Sequence, residues 1–144
     1  MRKQIFTENE IDKLIALIHD QEFDVGKIKF NKQSKLLIIE FKNRWWDKAK
    51  IITNFLFFKK KAIPISNAVL LIYNVTRYEV KDSERIGIYE FNTVNYAQNS
   101  KEINIIAEPN LSMKIFVDSF LIELEVDKAV IDNETHYSFF SVET

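Results

Sequence analysis

The apolar residues of this chain change their spacing once, and that change limits the folds open to it. Ile11, Leu14, Ile15 and Ile18 recur at helical spacing, with Asp12, Lys13 and Asp20 elsewhere. In front of them, Thr7-Glu8-Asn9-Glu10 has the form of a capping box: the threonine oxygen accepts from the third amide while Glu10 reaches back. The spacing predicts a helix over residues 8–20 whose apolar stripe must pack on a sheet. From Phe23 onward the period is two. Parallel strands need helical crossovers, and no helical stretch follows residue 22. The expected fold is therefore mainly β: an antiparallel meander forming a sandwich or a partly open barrel, with the one N-terminal helix packed on it.

Within that frame, Ile28 and Phe30 alternate with lysines before the turn residues Asn31 to Ser34, and Leu37, Ile39 and Phe41 complete a hairpin. Further strands are expected near 51–60, 68–81, 85–97 and 102–107, with Pro109-Asn110 as the centre of a β-turn. The segment 111–126 invites a hairpin turning at Asp118-Ser119. Val117 would then face Phe120, Ile115 Ile122 and Met113 Leu124, with Lys114 opposite Glu123 on the other side. Thr135 to Val142 is expected to close the sheet. The two glycines, Gly26 and Gly87, lie inside strand patterns, where bulges would explain them. No repeat, linker or low-complexity tract divides the chain, so residues 1–144 are read as one domain.

The same residues exclude several chemistries. With glycine at only two positions, neither a phosphate-cradling loop nor a dinucleotide fingerprint can be written. The absence of cysteine removes disulfides, thiolate zinc sites and cysteine nucleophiles. His19 falls at the helix end, where an imidazolium meets the carbonyl end of the dipole. His136 stands beside Tyr137 in a strand, with no base or nucleophile at a useful spacing. Glu123, Glu125 and Asp127 alternate along one strand, so they share a face; alternation with Ile122, Leu124 and Val126 is also what a solvated outer face requires. The expectation is a non-enzymatic protein without cofactor or metal.

Acidic residues Glu8, Glu10 and Asp12 interrupt any signal-peptide core, and the longest apolar run, Ala68 to Tyr73, is far too short to span a membrane. A cytoplasmic location with no membrane partner is expected, and the abundance of Ile, Lys and Asn fits a bacterial coding sequence. The net charge of −1 conceals segregation: residues 27–61 carry +9 and residues 79–144 carry −8. The basic stretch holds Arg44, Trp45 and Trp46, then Phe55 to Phe58 before Lys59, Lys60 and Lys61. Adjacent tryptophans cannot both point inward from a regular strand, so one is exposed or sits at a bend. These residues, with Glu123, Glu125 and Asp127, form the candidate contact surface. Another protein is the expected partner, engaged through charged faces in the manner of an immunity-type or accessory binding protein. Nucleic acid stacking on the 42–61 segment and a small apolar ligand held in a barrel are the alternatives, and a homo-oligomer is compatible with each.

Overall fold

A computed structural model describes residues 2–55 and 58–139. The strands are β1 (Arg2–Phe6), β2 (Glu22–Asp24), β3 (Lys29–Asn31), β4 (Leu36–Arg44), β5 (Lys50–Phe55), β6 (Phe58–Ile72), β7 (Val75–Asp82), β8 (Ile88–Ala97), β9 (Glu102–Glu108), β10 (Leu111–Val117), β11 (Ile122–Val126) and β12 (Asp132–Phe139). One α-helix, α1 (Ile11–Ile18), follows a 3-10 turn at Glu8–Glu10. The capping box is present: Glu10 Oε1 accepts from the Thr7 amide at 3.2 Å and from the Thr7 hydroxyl at 3.1 Å. Leu14 and Ile18 are buried, and α1 packs on β8.

All strand pairs are antiparallel, in the order β1-β11-β6-β4-β2-β8-β9-β10-β7. The sheet folds over on itself, so Phe6, Ile39, Leu70, Phe91, Ile105 and Ile115 meet in one core. Strand β2 is the seam between β4 and β8. There the Phe23 ring stacks on Phe91 at 4.2 Å, and Phe41 meets Phe91 edge-on at 5.5 Å.

Strand β6 runs fifteen residues and has two sets of partners. Its second half lies between β4 (Ile72↔Leu37 to Ile65↔Arg44) and β11 (Ile72↔Ile122 to Ala68↔Val126). Its first half lies between β5 (Ala62↔Lys50 to Phe58↔Phe55) and β12 (Ile65↔Asp132 to Phe58↔Phe139). The order of these registers makes β5 the continuation of β4 and β12 the continuation of β11, so a three-stranded arm extends from one end of the folded sheet. Pro64 sits at the junction, where its carbonyl accepts from Trp45 N at 2.8 Å. Its missing N–H therefore faces the break between β4 and β5, where a 3-10 turn (Trp46–Lys48) requires no ladder bond.

Several expectations are corrected here. The segment 111–126 forms two strands but no hairpin: β10 pairs with β9 and β7, whereas β11 pairs with β1 and β6. At Asp118-Ser119 the chain crosses between halves of the sheet, held by Asp118 N to Asn74 O at 2.9 Å and Asn74 Nδ2 to Ser119 Oγ at 2.9 Å. Lys114 consequently faces Glu79 and Asn104 rather than Glu123. The expected strand over 68–81 is interrupted at Tyr73-Asn74, where Asn74 takes a left-handed φ of 60°. The expected strand 51–60 is divided between β5 and β6. Strand β12 does not close the sheet but lines the arm, and residues 140–142 of the expected closing strand lie outside the described residues. Neither glycine marks a bulge. Gly26 belongs to a 3-10 turn, and Gly87 takes φ +85° before β8. Register shifts fall instead at 51–53, 91–93 and 116–117. The turn at Pro109-Asn110 forms as expected.

Candidate functional site

Inward-facing positions of β4 run Leu37, Ile39, Phe41, Asn43, and Trp45 follows just past the strand end; the first three are buried. In β1 the matching positions are Phe6, Gln4 and Arg2, opposite Ile122, Leu124 and Val126 of β11. The apolar interior thus ends in a polar row beside α1. An open cleft of about 290 Å³ lies there. Trp45, Leu124 and Val126 contribute its apolar surface, Ala16 and Leu17 its helical wall, and Arg2, Gln4 and Asn43 its polar groups, with Trp46 and Asp47 at the bend. The Trp45 indole donates to Ser66 Oγ at 3.0 Å, and Ser66 is fully buried. Gln21, also in the cleft, is 5% exposed and fixed to the backbone of Arg44, accepting from its N at 2.8 Å and donating to its O at 3.3 Å.

On the opposite face of the same strand, Arg44 is withdrawn from solvent, with 6% of its side chain exposed. Its guanidinium contacts Glu22 at 2.7 Å, Glu134 at 3.1 Å and Glu90 at 3.5 Å, and donates to the Asp20 carbonyl at 2.9 Å. One arginine therefore joins β2, β4, β8 and β12. Such a planar fork with five donors can serve three carboxylates at once, which an ammonium cannot. The Trp46 ring lies 5.8 Å from Arg44 Cζ and 5.2 Å from the His136 ring, edge-on. His136 in turn contacts Glu134 through Nε2.

The candidate contact residues thus divide. Arg44 is structural and Trp45 is half-buried under Lys48, whose Nζ lies 4.6 Å from its ring. Trp46 is 47% exposed, as two adjacent tryptophans at a bend require. Lys59, Lys60 and Lys61 lie on β6 in the arm, across from Ser138, Tyr137 and His136, with Lys60 Nζ 5.7 Å from the Tyr137 ring. The side chains of the run 55–58 lie outside what the structure describes. Glu123, Glu125 and Asp127 alternate with Leu124 and Val126, so they stand on the outer face, away from the cleft that those two line with Trp45. Glu123 accepts from the Tyr73 hydroxyl at 2.7 Å, which, with burial and the negative charge nearby, pushes the phenol up to about 12. Glu125 pairs with Lys3 at 3.5 Å, and Asp127 accepts from Ala129 N at 3.0 Å. Among the described residues, no three His, Asp or Glu side chains converge to hold a metal.

The segregation of charge along the sequence is partly undone in space. Arg44–Glu90, Arg44–Glu134 and Lys35–Asp118 (2.9 Å) all join the basic segment to the acidic one. Sequence reasoning missed Arg2, Gln4 and Asn43, which no motif marks. Only the pairing of β1 with β11 brings the first two to the tryptophans. No protein-family model, curated protein or solved structure matches this chain.

Proposed function

We propose that the chain is a non-enzymatic protein-binding module whose contact surface is the β5–β6–β12 arm with Trp46 at its base. The carrying observation is where exposed apolar side chains gather: Trp46, Ile51, Ile52, Val130, Ile131 and Tyr137, each 47–59% exposed, all belong to the arm or its two connections. Apolar exposure concentrated in one part of a fold in this way marks interaction surfaces, although Ile5 and Ile86, elsewhere on the molecule, are exposed to a similar degree. The arm also has open edges, since β5 and β12 each pair with β6 alone among the described residues. An extended segment of another protein can add to such an edge by main-chain hydrogen bonds. The β5 edge carries a register shift between Ile51 and Thr53, which disfavours strand addition, whereas β12 is regular over Asp132–Phe139. The partner strand therefore adds to β12. The lysines of β6 favour a partner whose flanking residues are acidic.

This reading keeps the binding function expected from the sequence but moves it from charged faces to an apolar arm. It also weakens the nucleic-acid alternative, because Arg44 and Trp45 are engaged within the fold. A photo-crosslinking side chain placed at Ile51 or Tyr137, in cells that express the chain, is expected to give one discrete heteromeric adduct. The same probe at Ile106, exposed on β9, is the control and is expected to give none. Equal labelling from Ile106, or adducts only with a second copy of the chain, rejects the proposal.

A further inference from the structure

We propose that the cleft beside α1 is a second site, which shares Trp46 with the base of the arm and binds a small monoanionic amphiphile: an aliphatic or aromatic carboxylate. Its apolar body lies on Trp45, Leu124 and Val126, and its head meets Arg2. Ligand clefts combine an apolar lining with a few convergent polar groups that fix orientation, and this cleft has that composition. Leu124 and Val126 are 4% and 8% exposed, so the β11 part of its apolar surface is set in the core of the sheet.

The polar groups argue for an anionic head. The buried polar side chains at the back are already satisfied: Gln21 is bound at both ends of its amide to Arg44, and the Trp45 N–H is bound to Ser66. Arg2, Gln4 and Asn43 have no side-chain hydrogen bond or ion pair among the described residues. A guanidinium that stands directly across from buried Val126 with no carboxylate of its own is a natural bidentate partner for an incoming one. The amides of Gln4 and Asn43 can donate to the same head. Asp47 also lines the cleft, so a group with two negative charges meets a like charge there, and a single carboxylate suits it better than a phosphate monoester. A volume of about 290 Å³ lies at the lower end of ligand sites, which sets the size to small acids rather than long lipids.

The molecule carries its own reporter, since its two tryptophans, Trp45 and Trp46, both line this cleft. The full chain is titrated with octanoate, and with octanol as the uncharged control, while intrinsic fluorescence is recorded. A saturable change with octanoate, tighter than with octanol, is expected. Arg2→Gln should weaken octanoate about tenfold, the worth of one charge-assisted hydrogen bond, and leave octanol within about twofold. Ala16→Phe fills the cleft from an exposed helix position, keeps the native circular dichroism and should abolish binding of both. No saturable change with octanoate, equal affinity for octanol, or binding that survives Ala16→Phe overturns the proposal. Trp46 belongs to both sites, but none of these measurements involves a bound protein, so this proposal and the protein-binding one fail separately.

Discussion

Removing the Arg44 guanidinium would leave Glu22, Glu90 and Glu134 facing one another at the junction of four strands. Breaking a buried ion pair by deleting one partner costs about 3–5 kcal/mol, because the remaining charge stays desolvated. The three carboxylates are 31–44% exposed, so water offsets part of this, and about 3 kcal/mol is expected for Arg44→Ala in urea denaturation. Arg44→Lys should recover less than half, since an ammonium cannot span the three groups. Tyr73 gives a second residue-level test, with an opposite pH signature from Glu10. The hydrogen bond to Glu123 raises the Tyr73 phenol to about 12, so the folded state holds this proton more tightly than the unfolded chain. Its contribution to stability is complete below pH 10 and is lost as the pH climbs through about 12. Spectrophotometric titration should show one late phenolate transition that is absent in Tyr73→Phe. The Thr7 amide, then the Thr7 hydroxyl, hold the exposed Glu10 carboxyl below its usual range. That contribution is present at neutral pH and fades only as acid protonates the group.

At the level of elements, β6 is one strand in two environments. Leu70 and Ile72 are wholly buried between β4 and β11, whereas Lys59 to Ala62 belong to the arm and are partly exposed. Protection from hydrogen exchange follows burial and local stability. Amides at 59–62 should therefore exchange at least about tenfold faster than those at 68–72, as measured by mass spectrometry of overlapping peptides. Uniform protection along β6 would mean that the arm shares the stability of the core. The elements themselves were legible in the sequence because period-two alternation reports which side chains face inward. Met113, Ile115, Ile122 and Leu124 are all buried, as that alternation requires. The partner strand was not legible. Alternation is equally satisfied by any neighbour with the same phase, and Lys114 opposite Glu123 made the wrong neighbour attractive. What decides the matter is the crossing at Asp118, whose amide is held by Asn74, a residue remote in sequence with a left-handed backbone. The candidate site divides in the same way. The split fate of Trp45 and Trp46 follows from their adjacency, but the cleft depends on Arg2 and Gln4, which only long-range pairing delivers.

For the whole molecule, the stacked and edge-on rings of Phe23, Phe91 and Phe41 pin the two halves of the sheet together at the β2 seam. Phe91→Ala should cost about 4 kcal/mol, the usual range for emptying a buried aromatic site. Because the halves share one core, tryptophan fluorescence and far-ultraviolet circular dichroism should give midpoints that coincide with each other, in the variant at its lowered urea concentration as in the parent. Separate midpoints would show that the halves unfold independently.

Strand β1 pairs with β11 alone among the described residues, from Arg2↔Val126 to Phe6↔Ile122. On the ribosome, Arg2 is made long before Val126, and at roughly 5–20 residues per second the wait is on the order of ten seconds. Throughout that interval Phe6, wholly buried in the folded protein, is an apolar side chain without a home. Native structure therefore cannot be laid down in the order of synthesis: β1 is made well before β11 yet docks only once β11 exists, and its docking is also what places Arg2 and Gln4 in the cleft. A chain stalled short of Ile122 would present an unpaired strand to whatever binds nascent polypeptides.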